Sequence, residues 1–249
     1  MFALGLKKDG SQKVRSVDHM TQSQVNCSTV VREKMRHDSL DVLFEIMRSM
    51  KLSSNEPLSL YKADIDSAYR RIPLRPEHRS YATIAFKHEG MIMLLQHMAA
   101  PFGAASSVHH WERIGALICA IARRVLMLPL ARYVDDFFSA DREGSVEVAT
   151  EVLQRLVDCL LGPGAAAADK LVHGNPLTVL GVEVTADEGG VTCRPDEKKA
   201  FKWCCRIQGF LKAGQLHSGE ASKLAGALQW ASQQLFKRLG RAMLRPIFK

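Results

Sequence analysis

Leu130-Ala131-Arg132-Tyr133-Val134-Asp135-Asp136-Phe137-Phe138-Ser139-Ala140 is the stretch that decides the fold. Two short apolar runs, Leu130 to Val134 and Phe137 to Ala140, flank a pair of aspartates. Apolar runs of this length on either side of a polar turn read as strands. The segment is therefore a tight hairpin with Asp135 and Asp136 at its tip. Read alone, Asp-Asp is a surface turn, because aspartate tolerates turn geometry. A second acidic strand end changes the reading. Leu58 to Asp66 is a strand candidate ending in Asp64 and Asp66, and a period of two predicts that both side chains share a face. Crowded carboxylates repel one another, and a divalent cation relieves them by gathering several oxygen ligands. Mg²⁺ suits such a cluster, since it binds through one or two carboxylates plus substrate phosphates. A pair of these ions serves in-line phosphoryl transfer.

Outward from the hairpin, residues 38–50 read as a helix capped by Asp38 or Ser39, with Leu40, Leu43, Phe44 and Met47 as its stripe. Tyr81 to Phe86 and Met91 to His97 flank Glu89-Gly90 in a hairpin pattern. Ser106 or Ser107 opens a helix to about Leu126, with Val108, Trp111, Leu117, Ile118 and Ala122 on its buried side and Pro129 as its stop. The adjacent pair His109-His110 points in different directions on that helix, which favours a packed Trp111 over a metal site. Ser145 to Leu161 is amphipathic through Val148, Val152, Leu156 and Leu160. Leu177 to Thr185 and Val191 to Arg194 flank a second turn at Asp187 to Gly190. After Pro195 the pattern is helical, with one helix marked by Phe201, Cys204 and Leu211 and another by Leu224, Leu228, Ala231 and Leu235. Strands and helices intermixed, then helices alone, predict an α+β fold with an α-helical C-terminal part.

At 249 residues, 47% hydrophobic and 24% charged, the chain can bury a core, and wholesale disorder is excluded. A net charge of +8 favours a polyanionic partner. The six cysteines show no CxxC spacing and read as reduced thiols rather than a zinc site. Met1 to Gly10 has no apolar stretch of the kind a signal peptide needs. Ile114 to Leu130 is interrupted by Arg123-Arg124 and is too short to span a membrane. The expectation is an intracellular chain, cytoplasmic or nuclear, neither secreted nor membrane-bound.

Tyr133-Val134-Asp135-Asp136 resembles the YxDD box of reverse transcriptases. Ala63-Asp64-Ile65-Asp66-Ser67-Ala68-Tyr69 followed by Ile72-Pro73-Leu74 resembles the preceding palm motif of that family. Ala100-Pro101-Phe102-Gly103-Ala104, then Ser106-Ser107, resembles the segment that opens the long palm helix. Asp169-Lys170 resembles the lysine-bearing loop, Leu180-Gly181-Val182 the primer grip, and Arg15-Ser16-Val17-Asp18 with Val25-Asn26 the basic fingers strand. These elements stand in the family's chain order. Leu224 to Ala231 and Gly240-Arg241 resemble the segment after the palm in tyrosine-recombinase (DIRS-like) retrotransposon polymerases.

The resemblance implies a right-hand polymerase. It would have partial fingers over 1–57, an antiparallel-sheet palm over 58–194 with a fingers insertion around 75–100, and a helical thumb-like part over 195–249. It implies RNA-directed DNA polymerisation on an RNA or DNA template with a primer and dNTPs. Asp64, Asp135 and Asp136 would hold two Mg²⁺ ions, which Mn²⁺ could replace. Tyr69 would lie beneath the incoming sugar and select against a 2′-hydroxyl. Phe102 and Gly103 would pack near the nascent base pair, and Arg15 would hold the triphosphate. Leu180 and Gly181 would grip the primer. Lys170 is either a surface lysine or a proton donor to pyrophosphate. Asp66 matches no catalytic position of the family. The basic residues Lys198, Lys199, Lys202, Lys212, Lys237, Arg238, Arg241 and Arg245 would meet template–primer phosphates. In the family, more fingers sequence precedes the basic strand, and no RNase H-like set of acids follows residue 195 here. The expectation is a polymerase fragment; the alternative is an inactive reverse-transcriptase-like module that only binds nucleic acid.

Overall fold

A computed structural model describes residues 2–6, 12–16, 18–195, 197–234 and 244. Its centre is a four-stranded antiparallel sheet. The sheet is built from β3 (Leu58–Asp64), β6 (Ala131–Tyr133), β7 (Asp136–Arg142) and β8 (Val172–Gly174), in the order β6-β7-β3-β8. The hairpin read around Asp135-Asp136 is β6 and β7. A three-stranded sheet of β9 (Leu177–Val179), β10 (Val182–Asp187) and β11 (Gly190–Pro195) follows. Two separate ribbons complete the strands: β1 (Phe2–Leu6) with β2 (Gln12–Ser16), and β4 (Thr83–His88) with β5 (Met91–Gln96).

Strand β3 is buried on both faces, so its alternation sorts side chains between two cores. Tyr61, Ala63 and Ile65 join Trp111, Ile118 and Phe137 beneath the helices α2 (Ala105–Arg124) and α3 (Val146–Leu161). Leu58 and Leu60 join Phe138 and Ala140 against α1 (Leu40–Ser53) and the three-stranded sheet. Ser39 caps α1 by accepting from the Asp41 amide, and Leu40, Leu43 and Met47 are its buried stripe. The helices α4 (Glu197–Ala213) and α5 (Ser218–Gln234) lie outside both cores.

Several details differ from the sequence reading. The stripe of α3 is Ala149, Leu153 and Val157, whereas Val148 and Leu160 are exposed. On a valine- and leucine-rich helix two adjacent i, i+4 rows are apolar, and only packing selects between them. Leu117 of α2 and Phe201 and Leu211 of α4 are likewise exposed. The run Leu177 to Thr185 is two strands, broken by a tight turn at Leu180-Gly181. Neither Ser106 nor Ser107 caps α2. Asn26 does so from a distance, its Oδ1 accepting from the Ala105 amide at 2.8 Å. All six side chains of β5 are exposed, five of them apolar, and among the described residues β5 pairs only with β4.

Candidate active site

The sheet register brings the acids together. Asp64, the last residue of β3, is the cross-strand partner of Asp136, the first of β7, and Asp136 also pairs with Tyr133. Directly opposed residues of an antiparallel pair have Cβ atoms roughly 5 Å apart. Both acids share the sheet face of Lys62 and Phe138. Asp135 occupies the two-residue turn beside them.

Crowding is visible in the charge balance. Partial loss of water, together with repulsion from Asp135 and Asp64, pushes the Asp136 carboxyl up to about 6. Lys170, on a short 3-10 turn over Ala168–Lys170, hydrogen-bonds the Asp64 carboxylate through Nζ. That bond holds its ammonium above the usual lysine range. Lys170 is thus an exposed lysine that stands against the acid cluster. Among the described residues, no three His, Cys, Asp or Glu side chains are gathered as a ready cation cage. The Asp64 carboxylate is turned toward Lys170, and Lys62 and Lys170 both offset the charge at Asp136. The donor set still fits a divalent cation: three carboxylates at adjoining strand ends with a surplus of negative charge.

Asp66 does not line the cleft that Asp64 and Asp136 share. Strand β3 ends at Asp64, and Ile65 turns into the core and bridges Ala166. Asp66 is left exposed, 3.8 Å from Arg71. Strand β3 stops two residues short of Asp66, which pairs with Arg71 instead of joining the acids of the cleft.

The predicted residues fall on two sides of the acids. Asp64, Asp136, Lys170, Leu180 and Gly181 line one open cleft of about 450 Å³, with Lys199 and Trp230 at its C-terminal wall. Leu180 and Gly181 both have positive φ, 47° and 75°. A Cβ on Gly181 would stand 2.8 Å from the Trp230 ring, so only glycine allows α5 this close. On the other side, Tyr69 packs edge-on against Phe102 with centroids 5.2 Å apart. Burial and the nearby Asp135 charge raise the Tyr69 phenol above its ordinary value. Gly103 has φ +98°, and a Cβ there would collide with the Asp18 carbonyl. Asn26 Nδ2 donates to the Gly103 carbonyl at 2.9 Å. Arg15 stands in β2, and its side chain lies outside the described residues, as do Lys237, Arg238, Arg241 and Arg245.

Sequence reasoning missed the groups under the turn. Val134 has φ +55°. Its carbonyl accepts from Trp111 Nε1 and from Arg132 Nη1, each at 2.9 Å. Arg132 is buried and pairs with Glu112 at 2.9 Å. The available signal was an arginine inside an apolar strand, a residue type rarely buried without a partner.

No protein-family model matches the chain, and no curated protein matches it. Solved structures do. The foamy viral protease-reverse transcriptase dRH in complex with double-stranded DNA matches at a TM-score of 0.62 and 16% identity, over 98% of this chain and 38% of that one. The foamy viral protease-reverse transcriptase in complex with double-stranded DNA matches at 0.60 and 15%, over 99% and 45%. The same viral protein with an RNA/DNA hybrid matches at 0.60 and 15%, over 99% and 29%. The chain thus spans less than half the length of each. The likeness is one of fold: this chain has a reverse-transcriptase-like fold.

Proposed function

We propose that this chain is an RNA-directed DNA polymerase, extending a primer 3′-hydroxyl with dNTPs on an RNA or DNA template. The observation that carries the reading is the register of Asp64 against Asp136 with Asp135 in the adjoining turn. That is a cluster of acids at the end of a rigid sheet, in a fold shared with reverse transcriptases. Asp64, Asp135 and Asp136 would hold two Mg²⁺ ions, with Mn²⁺ as a substitute. Bound there, the cations would supply charge neutralisation for in-line phosphoryl transfer. Lys170 Nζ, kept protonated beside Asp64, would give its proton to the departing pyrophosphate. Tyr69 and Phe102 would floor the nucleotide pocket, with Gly103 beside them and Arg15 on the triphosphate. Leu180 and Gly181 would hold the primer.

The proposed layout is partial fingers over 1–57, palm over 58–194 and a thumb-like part over 195–249. The basic residues of α4, Lys198, Lys199 and Lys202 among them, would meet template–primer phosphates. The DIRS-like affiliation rests on Leu224 to Ala231 and on Gly240-Arg241, which lies outside the described residues. A second reading, a nucleic-acid-binding module without polymerase activity, is favoured by the hold of Lys170 on Asp64.

Primer extension on an RNA template with dNTPs and Mg²⁺ separates the two, run beside the Asp135→Asn/Asp136→Asn double variant. Extension by the parent alone is expected. Equal extension by both proteins refutes the proposed site. Salt-sensitive primer–template binding without extension by either selects the binding module.

A further inference from the structure

The turn that carries Asp135 is strained and is held from below. A two-residue hairpin loop with positive φ at its first position ordinarily places glycine there. Val134 stands there instead, at φ +55°. A β-branched residue in that region is an outlier, and it persists only where its surroundings over-determine it. Here they do. Trp111 and Arg132, 0% and 3% exposed, both donate to the Val134 carbonyl. Arg132 Nη2 is paired with Glu112 Oε2, and the other Glu112 oxygen accepts from the Arg36 amide at 3.1 Å. The main chain of Arg132 is bracketed by Asp38, whose Oδ2 accepts from the Arg132 amide at 3.0 Å and whose amide donates to the Arg132 carbonyl at 2.9 Å. Helix α2 is notched to admit the guanidinium: a Cβ on Gly115 would stand 2.7 Å from Arg132 Cδ. An ion pair this buried loses much of its attraction to desolvation, and apolar residues would pack the space as well. Its geometry, however, fixes one carbonyl.

We propose that Trp111, Arg132 and Glu112 form a positioning clamp that aims the Asp135 carboxylate for divalent-cation binding by pinning the Val134 carbonyl. Val134 O and Asp135 N share one rigid peptide plane. Fixing the oxygen therefore fixes the direction in which Asp135 leaves the turn. Releasing it lets that peptide rotate and the strained φ relax, which carries Asp135 away from Asp64 and Asp136. The three clamp residues position and touch no reacting atom. The inference rests on the reading that the three aspartates take divalent cations.

The test is Mn²⁺ alone, titrated into the full chain and followed by electron paramagnetic resonance, with circular dichroism melting as a check on the fold. The proteins are the parent, Asp135→Asn, Arg132→Lys and Trp111→Phe. The parent is expected to bind Mn²⁺ and Asp135→Asn to bind it more weakly. Arg132→Lys and Trp111→Phe each remove or reshape one donor and should weaken Mn²⁺ about tenfold, as outer-shell changes do, with the dichroism spectrum unchanged. If Asp135→Asn weakens binding but both donor variants bind like the parent, the clamp is overturned and the cation reading stands. A lowered melting temperature with parental Mn²⁺ affinity is a purely structural role and overturns it equally. If the parent binds no better than Asp135→Asn, the cation reading fails and the clamp with it. Should Arg132→Lys not fold, Trp111→Phe decides, because phenylalanine keeps an aromatic ring there and removes the indole donor, while the melting curve reads the volume lost with the second ring.

Discussion

The end of the central sheet and the C-terminal helices face the same cleft, yet they are built on opposite principles. Strands β3 and β7 are buried on both faces, and their register alone places Asp64 against Asp136. Helix α4 buries none of its residues. It meets the cleft through Lys199, which lies over Trp230 of α5, and α5 meets it through the close approach of Trp230 to Gly181. On the proposed function, the groups that must be placed to a fraction of an ångström sit on the rigid element, and those that would meet a long, sequence-neutral polyanion sit on the lightly anchored one.

Core truncation should break this contrast most. Phe138→Ala opens a cavity at a fully buried position of β7 and is expected to cost about 3–5 kcal/mol. Phe201→Ala on α4, where the ring is 72% exposed, should change stability by less than about 0.5 kcal/mol. Urea unfolding of the two variants measures both, and similar losses would erase the distinction. Gly181→Ala probes the join. The residue has φ +75° and no room for a Cβ beside Trp230, so the substitution should cost about 1–2 kcal/mol. Tryptophan fluorescence should report the displaced ring, while the acids on the sheet keep their cation affinity.

A smaller effect follows from the Asp136 carboxyl, pushed up from its ordinary 3.8 to about 6. A raised carboxylate contributes stability that is complete below its unfolded value and is lost as pH rises through the folded one. At pH 7 the ionised group therefore weakens the fold. Asp136→Asn should raise stability there by about 1 kcal/mol, after discounting for exposure. Near pH 4 melting curves of parent and variant should converge. Smallest of all, Lys198→Gln/Lys202→Gln on the exposed face of α4 should weaken primer–template binding several-fold. It should also lower the log–log salt slope by about one to two. An unchanged slope would remove α4 from the nucleic-acid contact.

Much of this was legible from the sequence, and the reasons it stopped are physical. The hairpin around Asp135-Asp136 was legible because apolar runs and a polar tip have one common solution. The α1 stripe was legible because a serine cap and a single apolar row agreed. The α3 stripe was not, since two apolar rows lie side by side and only the sheet beneath chooses. Lys170 could not be assigned, because its partner Asp64 lies 106 residues away in the chain. The Arg132–Glu112 pair was hidden for the same reason. The cap of α2 came from Asn26 rather than from the adjacent serines, and local pattern cannot reveal an acceptor from another segment.

The bare ribbon of β4 and β5 has a consequence of a colloidal kind. Met91, Ile92, Leu94 and Leu95 are all more than half exposed, and β5 pairs only with β4 among the described residues. Apolar strands with an open edge recruit their own kind. A net charge of +8 sets a mutual repulsion between copies of the chain, and added salt screens that repulsion without weakening apolar attraction. On the proposed function, the salt that would strip this chain from nucleic acid would also favour contact between its exposed apolar ribbons.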